Sequence, residues 1–117
     1  MKYFAKSSGS IIALTEAIDL VADSSRCFVI INGRPEMGRI TSIGCQLSVI
    51  MTDFVTAKSD VKLKAYAASV CMMGLAEEIA FTRLNEGEGN STSRNKIIEA
   101  IYNMNSKTLD EGYISTL

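Results

Sequence analysis

Arg39–Ile50, "RITSIGCQLSVI", is where this chain changes its period. Before it, apolar residues come in short β-branched runs. From Gly44 onward they recur at helical spacing, as Leu47, Ile50, Met51, Phe54 and Val55. A polar, glycine-containing turn that leads from strands into an amphipathic helix predicts an α/β chain, with that helix over about residues 44–57.

Upstream, "SIIALT" (Ser10–Thr15) follows Ser7-Ser8-Gly9 and reads as a buried, central strand of the parallel type. "DLVAD" (Asp19–Asp23) and "RCFVII" (Arg26–Ile31) flank Ser24-Ser25 and stop at Asn32-Gly33, the pattern of a hairpin. Downstream, Lys58-Ser59-Asp60 interrupts the helix and offers Asp60 as a cap for a second one over about residues 61–84. That helix is apolar nearly all round between Lys64 and Glu77, so it should be buried on most sides. Asn85–Ser91 reads as a polar loop. A third helix follows over about residues 92–105, capped by Ser91 or Thr92, with Ile97, Ile98, Ile101 and Tyr102 on one stripe. Gly112–Leu117 is either a last short strand or a frayed end. The expected architecture is one partial layered α/β domain, short strands and a hairpin followed by two to three helices, whose sheet needs further cover.

Composition narrows the chemistry. The 117 residues suffice for a single core, and 47% hydrophobic against 21% charged residues is globular rather than disordered. Twelve basic and thirteen acidic side chains give a net charge of −1 with no basic cluster, which points away from nucleic acid. Histidine is absent, removing His-based zinc sites and Ser-His or Cys-His dyads. Three widely spaced cysteines, Cys27, Cys45 and Cys71, fit a reducing, cytoplasmic setting. No secretory signal is legible at Met1–Lys6, and the uncharged run Ala65–Ala76 is too short for a bilayer, so no membrane role is expected. Asn90-Ser-Thr matches a glycosylation acceptor but reads as an inert loop. Met51, Met72, Met73 and Met104 read as core filler, Cys27 and Cys71 as buried thiols, and Glu77-Glu78 as the solvated edge of the second helix.

Cys45 stands where a helix begins. There, unpaired backbone N–H groups and the positive end of the macrodipole attract an anion, and Gly44 allows close approach to the backbone. The same field favours the anionic form of a thiol, so Cys45 is a candidate reactive group. It is equally a candidate small apolar residue buried at a helix start.

These residues carry a resemblance. "NGRP" at Asn32–Pro35, Arg39, and "ITSIGC" at Ile40–Cys45 resemble segments of the hydroxyethylthiazole kinases, in the ribokinase-like superfamily. That family reads approximately N-G-H-P, then a basic residue and an aliphatic one before T-G-x-G-C. "IIALTEAIDLVAD" (Ile11–Asp23) resembles the family's I-A-x-T-G-x-x-D, with a further aspartate downstream. The resemblance implies a partial ribokinase-like fold corresponding to the C-terminal half of a family member. It also implies ATP-dependent phosphorylation of 4-methyl-5-(2-hydroxyethyl)thiazole, a step in thiamine salvage, with ATP and Mg2+ as cofactors. By resemblance, Cys45 takes the base position near the substrate hydroxyl and Gly44 lends its backbone to the anion hole. Thr15 meets the ATP phosphates, Asp19 and Asp23 lie beside the nucleotide, and Ser42 is on the substrate side.

The chain departs from the pattern at four points. Ser42 and Ile43 replace small residues of the anion-hole turn, Glu16 replaces the glycine after Thr15, and Arg34 replaces a histidine. Glu16 brings negative charge toward a triphosphate. The magnesium-organising acids belong to the half that the resemblance leaves out. Three readings therefore stand: a kinase half completed by an N-terminal half from elsewhere, a non-catalytic nucleotide-binding module, or a self-associating interaction protein. A homo-oligomer is expected under all three, because an open sheet edge is adhesive.

Overall fold

The computed structural model describes residues 1–15, 18–32, 43–110, 112 and 114–116. The chain opens with α1 (Lys2–Ser8), which ends on Gly9 at φ 69°, a left-handed residue that closes a helix without a Cβ penalty. The sequence reading missed this helix, which is short, mixed in composition, and has only Ala5 buried.

Three strands follow: β1 (Ile12–Leu14), β2 (Asp19–Ala22) and β3 (Cys27–Ile30). The hairpin expected between the second and third runs is present, with Ala22 opposite Cys27 and Asp19 opposite Ile30. Asp23 holds its turn. Its Oδ1 accepts hydrogen bonds from the Ser25 amide (2.8 Å) and the Arg26 amide (2.7 Å), while its own N–H donates to the Arg26 carbonyl (3.0 Å).

β1 corrects the expectation of a buried, parallel-type central strand. It runs antiparallel to β2, with Ile12 opposite Ala22 and Leu14 opposite Leu20, and it forms one edge of the sheet order β1-β2-β3-β4. Ala13 and Leu14 are exposed. A continuous apolar run signals burial on both faces, and here that signal belongs to β2 and β3, where Val21, Ala22, Cys27 and Ile30 are buried. The tail forms β4 (Ile114–Thr116), antiparallel to β3, which decides the open question about residues 112–117 in favour of a strand.

Helix α2 (Ile43–Ala57) matches the expected span. Asp60 does not cap its successor. Ser59–Val61 forms a 3-10 turn, and Val61 precedes α3 (Lys62–Thr82) with no side-chain cap. As its all-round apolar surface requires, α3 is central: it packs on β2 and β3 and against α2 and α4 (Asn90–Tyr102). Its buried residues Leu63, Ala67, Val70, Cys71, Met73, Leu75, Ala76 and Ala80 join Val21, Ile30, Leu47, Ile97 and Ala100 in one core. Burial of this kind gives roughly 25 cal/mol per Å² of apolar surface and is the main support of the fold.

Helix α4 begins two to three residues earlier than a cap at Ser91 or Thr92 would place it. Gly89 precedes it without a side-chain cap, and Asn90 of the glycosylation-like triplet is helical rather than in a loop. The connection before it is ordered by Glu88, which accepts from the Asn85 amide (2.6 Å) and pairs with Lys96 (3.2 Å). Lys96 also donates to the Arg83 carbonyl at the end of α3. A short α5 (Ser106–Leu109), capped by the Asn105 side chain accepting from the Thr108 amide (2.9 Å), leads back to β4.

Candidate functional site

The strand register defines two ends of the sheet. At one end lie the exit of β1 before Thr15, the start of β2 at Asp19, and the exit of β3 toward Ile31 and Asn32. At the other lie Ile11, Asp23 and Arg26. A nucleotide reaching both Asp19 and Asp23 would have to span the length of β2, about 13 Å at ~3.3 Å per residue.

The helical hairpin brings α2 to the first of these ends. α2 and α3 pack side by side across a tight bend, hence antiparallel. Gly44 precedes the end of α2 by about as many residues as Gly74 follows the start of α3, so at ~1.5 Å per residue both lie about 20 Å from the bend. The first turn of α2 therefore sits level with the Gly74–Glu77 turn of α3. That turn in turn meets the Thr15–Asp19 end of the sheet: Asn32 lies against Gly74, and Asp19 is within electrostatic range of Glu77.

Of the residues singled out by sequence, Gly44 and Cys45 fall in the first turn of α2, which carries no acidic residue to offset the helix field. Cys45 is exposed, so the reading of a small residue buried at a helix start is corrected. Cys27 and Cys71 are buried, as expected. Thr15 is exposed just past β1, and Asp19 is half-buried at the start of β2. Asp23 lies at the far end of β2 with Oδ1 engaged in the turn, which holds its carboxyl below the usual range, chiefly through the Ser25 and Arg26 amides. Ser42, Glu16, Arg34 and Arg39 lie outside the described residues.

Three features were not read from sequence. Asn32 donates from Nδ2 to the Cys71 Sγ (3.4 Å), tying the end of the β3 run to α3. Gly74 lies directly beneath Asn32: a Cβ there would come within 2.7 Å of the Asn32 Cβ and 2.9 Å of its carbonyl carbon. An isolated glycine in a long apolar helix is the signal that could have exposed this contact. Third, Glu77 is not the solvated edge expected of it. Burial first, then the charges of Asp19 and Glu78, raise its carboxyl to about 7. Beside Cys45, the Gln46 side-chain oxygen is buried with no donor among the described residues.

The fit to a phosphate group rests on the acid-free first turn of α2 and the exposed Thr15 at the same end of the sheet. Among the described residues, no group of three or more Cys, Asp or Glu could hold a metal ion. No described helix is long and apolar enough to cross a membrane. An apolar groove of about 770 Å³, lined by Phe54, Ala57, Val61, Ala65 and Ala68 among others, opens at the hairpin bend. It is about 20 Å along α3 from Glu77, at the wrong end to serve these residues.

The fold is a mixed α/β layer, antiparallel strands followed by helices, of the kind found in thiazole kinases. It superimposes on the structure of the hydroxyethylthiazole kinase protein from Pyrococcus horikoshii OT3 with a TM-score of 0.88 and 25% identity, over 99% of this chain and 44% of that one. Residues 1–107 match the model of the hydroxyethylthiazole kinase family, and the chain belongs to that family. It is 43% identical to the hydroxyethylthiazole kinase of Clostridium acetobutylicum over 110 residues, 94% of this chain and 40% of that protein. It is 30% identical to the Zea mays enzyme over 92% of this chain and 38% of that protein. The chain thus spans about two fifths of the length of these relatives.

Proposed function

We propose that this chain forms the phosphate-cradle part of an ATP-dependent hydroxyethylthiazole kinase of thiamine salvage, acting in the cytoplasm, and that turnover needs the remainder of the family fold from a complementing N-terminal half. The observation carrying this reading is the start of α2 with Gly44 and Cys45 in its acid-free first turn, in a chain of this family.

Phosphoryl transfer is mostly positioning and charge stabilisation. The substrate's hydroxyl oxygen would attack the γ-phosphorus of ATP, the bond to the ADP oxygen would break, and the hydroxyl proton would pass to Cys45 or to solvent. Backbone N–H groups at Gly44 and Cys45 would face the charge developing on the transferred group. Thr15 would hold the nucleotide phosphates, Asp19 would lie beside the nucleotide, and Ser42 would border the thiazole alcohol. ATP supplies the phosphoryl group, and Mg2+ would come as its counterion, held by groups outside the described residues. Near neutral pH a thiol is mostly protonated where a carboxylate is not, so it is less often available as a base, and general-base help is worth roughly 10²–10⁴-fold.

A second reading, nucleotide binding without turnover, is favoured by Glu16, which stands where the resembling motif has glycine and adds a negative charge beside the phosphate threonine. One experiment separates the two. The purified chain is assayed with ATP, Mg2+ and hydroxyethylthiazole, alone and with a polypeptide covering the N-terminal part of the Clostridium acetobutylicum relative, and its melting is followed with ADP. Phosphate-ester formation only in the mixture supports the kinase half. An ADP-raised melting temperature without turnover in either case supports the binding module. Neither effect overturns both.

A further inference from the structure

We propose that Gly74 is a positioning residue: it seats Asn32 on α3, the same helix against which α2 packs, and so sets Asn32 relative to the first turn of α2. Its ligand readout rests on the kinase-family reading of that turn, but its conformational readout does not.

Gly74 lies inside a 21-residue helix, where alanine is the better helix former. Nothing about the helix itself asks for glycine there. What asks for it is Asn32. A Cβ on residue 74 would lie 2.7 Å from the Asn32 Cβ, 2.9 Å from its carbonyl carbon and 3.0 Å from its carbonyl oxygen. Two of those three atoms are backbone, so rotating a side chain cannot relieve the clash; the chain itself must move. The Asn32 amide then fastens the contact by donating to the Cys71 thiol (3.4 Å), one turn back on the same helix.

The same turn receives a second backbone. A Cβ on Gly112, at the entry to β4, would lie 2.3 Å from the Cys71 Sγ and 3.1 Å from the Leu75 Cδ1. Both segments that cross the site end of the sheet therefore rest on Cys71–Leu75. The connection that starts at Asn32 ends at Ile43, level with this turn. Fixing Asn32 at Gly74 sets where that connection begins, and the packing of α2 on α3 sets where it ends. Asn32 and the helix that bears Gly44 and Cys45 thus both take their places from α3.

Thiol labelling tests this directly, because Cys45 is exposed while Cys27 and Cys71 are buried. Gly74→Ala is compared with wild type and with Leu63→Ala, a core truncation at the far end of α3 that lowers stability without touching Asn32. The readouts are the labelling rate of each cysteine by a small thiol reagent well below the melting temperature, and the rise in melting temperature with ADP. Gly74→Ala is expected to change the Cys45 rate several-fold, to make Cys71 reactive, and at least to halve the ADP-induced rise. Leu63→Ala is expected to lower melting while leaving Cys45 labelling as in wild type. Should Gly74→Ala fail to fold, Asn32→Ala removes the amide donor without adding bulk and is expected to make Cys71 reactive and shift the Cys45 rate in the same direction. Wild-type labelling of Cys45 and Cys71 in these variants overturns the proposal. A wild-type chain unmoved by ADP overturns the nucleotide reading alone and leaves the labelling result to decide the role of Gly74.

Discussion

Glu77 on α3 lies within electrostatic range of Asp19 at the start of β2, and its carboxyl, raised first by burial and then by the charges of Asp19 and Glu78, titrates at about 7. Folding therefore has to accommodate a carboxylate that prefers its proton. The unfolded chain releases that proton near 4.5, and the folded chain releases it near 7. Between those values the folded state binds more protons, so stability falls as pH rises through the window.

Replacing the group with its neutral isostere checks this. Glu77→Gln is expected to change little at pH 4 and to stabilise the protein on the order of 2 kcal/mol at pH 8. Urea titrations of both proteins at the two pH values measure it. An equal effect at both would mean that Glu77 is not held against its charge.

The Gln46 side-chain oxygen is buried with no hydrogen-bond partner among the described residues. Leaving such an acceptor unmade costs about 1–3 kcal/mol. Gln46→Met keeps the length and helix propensity while removing the orphan, and should raise stability by about 1 kcal/mol. A loss of stability in thermal or denaturant melting would mean that the amide is satisfied in solution.

Two neighbouring isoleucines on α4 test the assignment of its buried face. Ile97 is fully buried and Ile98 is 50% exposed. Ile97→Ala should cost about 2–5 kcal/mol through lost burial and the cavity left behind. Ile98→Ala should fall within about 0.5 kcal/mol of wild type. Similar costs from denaturant melts would refute the orientation of the helix.

Asp23 is predicted to matter for the turn. Asp23→Ala removes the acceptor for the Ser25 and Arg26 amides and should cost about 1–2 kcal/mol, while Asp23→Asn, which keeps an oxygen there, should cost less. Because the folded carboxyl is held below its usual 3.8, its contribution is present above that value and fades as pH falls through the folded one. Melts of the three proteins between pH 2 and pH 6 read both effects.

Much of this was legible in the sequence, because period and composition carry local structure. The hairpin of β2 and β3 and the span of α2 follow from spacing alone, as does the burial of α3. What was lost depends on partners distant in sequence. The run Ile11–Thr15 has the composition of a central strand, yet its place at the sheet edge is decided by pairing order. Asp60 and Ser91 have the chemistry of caps, but a 3-10 turn and an extended Gly89 took those places. At the candidate site, Cys45 and Gly44 could be read from a local helix start. Asn32, Cys71, Gly74 and Glu77 could not, since each acquires its role only when α3 crosses the sheet end.

The brevity of β1 has a further consequence. Three residues with Leu14 and nearby Ile18 turned outward provide only a few free amides and carbonyls, too few for unlimited sheet growth from copy to copy. What that border presents is the side chains of Leu14 and Ile18 more than a main-chain ladder.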